Sequence, residues 1–199
     1  MKKFIFLSLF LFLNVFLSCN KIGSCPDVDP FFKVTGMRSV QQEGYSILSA
    51  GDTTYLEDLL VLHDLSADYY SEASSTPLDG GALHALSCVP HGHDGAKEGI
   101  AELTVITLRD FNATYQAGDT ITPALEFASG WGARSFNDFV DHSTFLDNNA
   151  QRLLHQYFGF RMKATPQRDF QITEFKTHLR LTNGDTFQCT TFFPVTVRR

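Results

Sequence analysis

From Thr173 onward the chain alternates between two kinds of residue. Thr173, Phe175, Thr177, Leu179 and Leu181 occupy the odd positions, and Glu174, Lys176, His178 and Arg180 the even ones. This is the period of a strand buried on one face. After Asn183-Gly184 a second alternating run places Phe187, Cys189, Thr191, Phe193, Val195 and Val197 at odd positions. Both inward-facing sets are odd, so opposed residues must share parity. A two-residue Asn183-Gly184 loop sets Leu179 against Gln188 and breaks that condition. A three-residue loop, Thr182-Asn183-Gly184 with Gly184 left-handed in a bulge, sets Leu179 near Phe187 and Thr177 near Cys189. The pattern therefore predicts the three-residue loop and a core-facing Cys189.

Upstream, Ile100, Leu103, Val105, Ile106 and Leu108 make Gly99 to Leu108 a near-continuous β-prone run, expected to be a strand buried on both faces. Phe31 to Arg38 reads as a first strand. Leu56 to Tyr70, with its Leu59-Leu60-Val61-Leu62 run, reads as a strand in preference to a helix. Gly44 to Tyr55 is turn-rich, Ser71 to Gly81 has the composition of a loop, and Ala82 to Cys88 is a short apolar piece. Between Thr144 and Phe158 the period changes, with Leu146, Ala150, Leu153, Leu154 and Tyr157 at helical spacing and Thr144 as the expected N-cap. Short strands separated by Gly and Asn turns point to a mainly β fold. The expected form is an antiparallel β-sandwich, immunoglobulin-like or similar, with one short amphipathic helix over an edge or end.

The amino terminus has a different pattern. Met1-Lys2-Lys3 precedes an apolar run of 14 residues from Phe4 to Leu17, closed by Ser18-Cys19. A helix needs about 20 apolar residues to cross the hydrocarbon core, so this run reads as a signal sequence rather than a permanent span. Phe16-Leu17-Ser18-Cys19 resembles the lipobox of bacterial lipoprotein precursors, with Phe16 where leucine is usual. The resemblance implies that Cys19 receives a diacylglycerol, that cleavage makes it the first residue of the mature chain, and that a further fatty acid such as palmitate is added. Each buried CH₂ contributes about 0.8 kcal/mol, and stable anchoring takes more than one chain. The expected organisation is a signal peptide over 1–18, a lipidated tether over 19–30 and a single β-sandwich domain over 31–199.

Charge and cysteine count narrow the setting. The formal charge of −6 becomes −8 if Lys2 and Lys3 leave with the signal, and an acidic body argues against nucleic-acid binding. With Cys19 committed to lipid, Cys25, Cys88 and Cys189 are left over. Export favours a disulfide. Cys25 before Pro26 and Cys88 before Val89-Pro90 lie where chain segments can meet, whereas Cys189 faces the core. The expected pair is Cys25 with Cys88, worth about 4 kcal/mol in the chain-entropy model.

Candidate chemistry is sparse. His91-Gly92-His93-Asp94 places two imidazoles two apart beside a carboxylate, which on an extended segment can reach one metal ion. A third ligand would have to come from His63, His84 or His142. The competing reading is a solvated loop beside Pro90 and Gly95, and this is preferred. No Ser or Cys sits in a Gly-x-Ser-x-Gly elbow, so no catalytic residue and no cofactor are assigned. Trp131, between Gly130 and Gly132, is the candidate ligand contact, with Tyr115 and Phe192 as further members of a glycan-stacking platform.

Several features together resemble an uncharacterised Bacteroidetes lipoprotein family of about 200 residues, a domain of unknown function. They are the Cys19 lipobox, Cys25-Pro26, Cys88-x-Pro90, the run Ala101 to Thr107 leading into Asp110-Phe111-Asn112 and Tyr115-x-Ala117-Gly118, and the closing hairpin through Asn183-Gly184-Asp185. The resemblance implies an exported, sandwich-like lipoprotein and no particular activity. The expected function is a non-catalytic binding or structural module, lipid-anchored in the cell envelope at the outer membrane. Its expected partner is a glycan or an envelope protein. The alternative is a metal-dependent hydrolase built on His91, His93 and Asp94.

Overall fold

The computed structural model describes residues 28–70, 90–130, 138–191 and 195–198. The chain is mainly β. The first strands are β1 (Phe31–Glu43), β2 (Ser46–Ile47), β3 (Thr53–Tyr55), β4 (Leu59–Tyr70) and β5 (Ile100–Thr107). They are followed by β6 (Leu125–Gly130), β7 (Val140–Asp141), helix α1 (His142–Asn149) and β8 (Tyr157–Met162). The chain then closes with β9 (Gln171–Thr173), β10 (Phe175–Leu181), β11 (Thr186–Thr190) and β12 (Val195–Arg198). A six-stranded sheet in the order β2-β1-β4-β8-β6-β7 forms one layer, and β11-β10-β5 and β3-β12-β9 form two smaller sheets. Among the described residues the pairings between these strands are antiparallel except β12 with β3, which is parallel.

The sheets share one apolar core, as a β-sandwich requires. Val61, Phe158 and Phe160 come from the large sheet, Leu103, Phe175 and Leu179 from the second, and Val195 and Val197 from the third. Phe160 meets the edge of Phe175 across the layers at 5.6 Å and 86°. His63 crosses at the same level, its Nε2 2.8 Å from Thr177 Oγ1 and its ring stacked on Phe158.

The C-terminal hairpin has the register its alternation predicts: Leu179 opposes Phe187 and Thr177 opposes Cys189. Leu181 and Asp185 close the loop around Gly184 at φ +94°. Cys189 shares the inward face and is half-buried.

Three expectations need correction. Strand β1 continues past Arg38 to Glu43, because a bulge between Val34 and Gly36 switches the inward positions from Phe32 and Val34 to Ser39 and Gln41. That switch interrupts the alternation in the sequence. Strand β5 buries Leu103, Val105 and Thr107 but exposes Glu102 and half-exposes Thr104, because among the described residues its sheet is covered on one side only. Helix α1 starts at His142 behind Asp141, not at Thr144, and ends at Asn149. It buries Phe145 and Asn149, and Asn149 Nδ2 donates to the Phe145 carbonyl. Leu153 is buried from a loop pinned by backbone bonds to Ala96 and Glu98, while Tyr157 opens β8.

Candidate functional site

The His91–Asp94 loop is a turn stitched to the strand ahead of it. The Gly92 and Asp94 amides donate to the Asp29 and Pro30 carbonyls at 2.7 and 2.8 Å, and the Phe32 amide donates to the Gly95 carbonyl. Gly92 sits at φ +70°, and a Cβ there would lie 3.0 Å from the Tyr69 ring and 3.1 Å from Phe32. The Asp29 amide donates to His91 Nδ1 at 3.1 Å. That nitrogen therefore carries the lone pair, and Nε2 carries the proton. His93 is the reverse, its Nδ1 donating to the Pro90 carbonyl at 3.2 Å, so in the neutral ring the lone pair is on Nε2, which lies 3.9 Å from Asp94 Oδ1. The pair thus presents one free imidazole lone pair, not two. His63 and His142 are committed elsewhere, to Thr177 and to the Leu103 carbonyl at 2.8 Å. Among the described residues no three His, Cys, Asp or Glu side chains gather in a metal-binding cluster.

The outward side chains of β5, β10 and β11 line a shallow groove of about 290 Å³ with Glu102, Thr104, His178, Arg180 and Thr186 on its walls. It exists because the even positions of β10 lie on the face away from the core, where Lys176 and His178 are half-buried and Arg180 is exposed. Arg180 donates through Nε and Nη2 to one Glu102 oxygen at 3.1 and 3.0 Å. The charges of the groove are therefore matched internally.

The third sheet carries a different surface. Thr54 and Val197 point inward, so Tyr55 and Arg198, neighbours in the parallel β3–β12 register, point out. Arg198 lies 5.2 Å from the Tyr55 ring centroid and 5.6 Å from that of Phe170, and its Nη1 donates to Tyr55 Oη at 3.2 Å. Phe170, just before β9, is 58% exposed, and Ile172 beside it is 46% exposed. The Phe170 backbone is left-handed at φ 58°, alone among the described non-glycine residues. That conformation costs an L side chain about 1–2 kcal/mol. An exposed phenyl ring recovers little of that by burial, and the ring stands beside a cation.

The sequence did not single out this platform, since Tyr55, Phe170 and Arg198 lie on three separate strands or turns. The signal was faint: Phe170 follows Asp169 in a polar turn and begins no alternation. Of the expected site residues, Cys19, Cys25, Cys88 and Trp131 lie outside the described residues, as do His84 and Phe192. Tyr115, expected to be exposed, is half-buried and packs against the core. Cys189 is a free thiol, and burial pushes its pKa up to about 12.

These surfaces sit on a β-sandwich scaffold. No protein-family model matches the chain, and no curated protein does. Among solved structures the chain is similar to the C-terminal domain of the Streptococcus pyogenes antigen I/II-family protein AspA, at 11% identity and a TM-score of 0.25. That match covers 83% of this chain and 47% of the other, so the chain spans about half the length of that neighbour.

Proposed function

We propose that the protein is an exported lipoprotein, anchored through Cys19 in the cell envelope at the outer membrane, whose β-sandwich is a non-catalytic binding module. The observation that carries the binding reading is the exposed Tyr55–Arg198–Phe170 platform. Interfaces that bind are enriched in aromatic residues and arginine, and here two aromatic rings, one of them on the left-handed Phe170, flank an exposed arginine. The partner class is a glycan or an envelope protein, and Trp131 is a second candidate contact. The anchor reading rests on the charged start, the short apolar run and the cysteine at its end. Among the described residues no helix is long and apolar enough to cross a membrane.

Metabolic palmitate labelling of cells expressing the full sequence tests the anchor. Label should follow the wild-type protein into the membrane fraction and be lost in Cys19→Ala. Unlabelled protein in the cytosolic fraction would overturn it. Binding is tested by retention on immobilised envelope polysaccharide, which should fall when Phe170 and Tyr55 are both replaced by Ala. Undiminished retention would remove the platform from the account.

A further inference from the structure

The charge at the centre of the platform narrows its ligand, an inference that rests on reading the platform as a binding surface. Arg38, Arg109, Arg161 and Arg180 each meet a carboxylate. Arg198 forms no ion pair among the described residues, and its polar contact there is the Tyr55 hydroxyl. The guanidinium is nevertheless held in place, between two rings and by one hydrogen bond. Less side-chain freedom is then lost when an anion arrives, and a forked guanidinium matches a carboxylate in two parallel bonds.

The rings favour a saccharide over a bare anion. Sugar rings present a face of C–H groups that packs on an aromatic ring, with hydroxyls around the edge. The outward Thr53 and Thr196, paired in the same β3–β12 register, supply hydroxyls beside the aromatic row. The net charge of −6 opposes an anion only weakly at this spot. At physiological salt the screening length is about 8 Å, so carboxylates beyond that distance are largely screened.

We propose that the Tyr55–Arg198–Phe170 platform binds an acidic saccharide. Its carboxylate meets the Arg198 guanidinium, and its sugar rings stack on Phe170 and Tyr55. The left-handed Phe170 is then a display device, its ring exposed at 5.6 Å from the arginine.

The test uses protein expressed from the full sequence and two probes, tri-galacturonate and its methyl ester, which share a skeleton and differ in charge. Calorimetry should show binding of the acid, weakened on the order of tenfold by Arg198→Gln, as expected for loss of a charge-assisted pair. The ester should bind weakly and respond little to that substitution. Phe170→Gly should also weaken acid binding while raising the melting temperature, because glycine relieves the strain. A merely structural role for Phe170 predicts loss of both together. Equal binding of acid and ester, both lost in Phe170→Gly, would overturn the acidic specificity and leave the binding reading intact. Absence of binding by either probe would overturn the inference, with the polysaccharide retention test deciding the broader reading separately.

Discussion

His63 Nε2 lies 2.8 Å from Thr177 Oγ1 and ties strand β4 of one layer to strand β10 of the other inside the apolar core. The imidazole is fully buried between Phe158, Phe160 and the facing sheet, and its Nδ1 has no hydrogen-bond partner among the described residues. Burial lowers its pKa from 6.5 to about 3, so the ring folds neutral.

The sign of the resulting pH dependence follows from linkage. Between pH 6.5 and about 3 the unfolded chain binds one more proton at His63 than the folded chain does. Stability therefore rises with pH across that window and is lost as pH falls through it, by an amount on the order of a few kcal/mol. Above pH 6.5 the group contributes no slope. Urea unfolding from pH 7.5 to 4 should show a steep decline in the wild type and a flatter one in the double variant His63→Leu/Thr177→Val, which removes both partners together. Equal slopes in the two proteins would place the acid sensitivity in other groups.

Cys189 should be chemically quiet in the folded protein. With its pKa pushed from 9.0 to about 12 by burial, the folded state holds roughly a thousandfold less thiolate at pH 8 than an unperturbed cysteine does. Iodoacetamide labelling read by peptide mass spectrometry should modify the Cys189 peptide at least about a hundredfold more slowly in buffer than in urea. Comparable rates would show that the strand edge opens.

Gly99 is required by close approach. A Cβ there would lie 2.1 Å from the Ala150 carbonyl oxygen and 2.5 Å from that of Asn149, at the end of α1. Backbone is on both sides, with Gly99 and Thr182 also exchanging hydrogen bonds at 3.0 Å. Gly99→Ala should cost about 3 kcal/mol through overpacking. Gly184→Ala, at φ +94° with nothing within 4 Å, should cost about 1 kcal/mol through backbone strain alone. Denaturant midpoints of the two variants measure the contrast, and similar losses would show that the helix end yields.

The tautomers in the His91–Asp94 loop predict weak zinc binding. Ligation by His91 through Nε2 would require moving its proton to Nδ1 and giving up the bond from the Asp29 amide. Calorimetric titration of zinc should show no stoichiometric site at micromolar concentrations, and His93→Ala should leave the titration unchanged. A stoichiometric site lost in both His91→Ala and His93→Ala would revive the hydrolase reading.

Legibility in the sequence varied with the range of the interaction involved. The β10–β11 hairpin was readable down to its loop length, because opposed residues lie within a few positions of one turn and both strands bury one face. The Leu59–Tyr70 run read correctly as a strand from its dense apolar start, where Leu59, Val61, Leu62, His63 and Leu65 are all buried. The helix was misjudged because Leu153 and Tyr157 fall at helical spacing while owing their burial to a loop against Glu98 and to strand pairing with β4 and β6. Periodicity records that a residue is buried, not which partner buries it.

The sequence by itself determined a mainly β chain, the odd-numbered inward face of its C-terminal strands and the register of the last hairpin, since these follow from alternation and turn chemistry between near neighbours. Only the tertiary structure decided that Tyr55, Phe170 and Arg198 share one exposed face, that His63 reaches Thr177, and that the two loop histidines hold opposite tautomers. The first two depend on segments far apart in the chain being brought within a few ångströms, as does the His91 tautomer through the Asp29 amide. Such pairings are selected by the packing of the whole sandwich and leave no periodic trace in the segments they join.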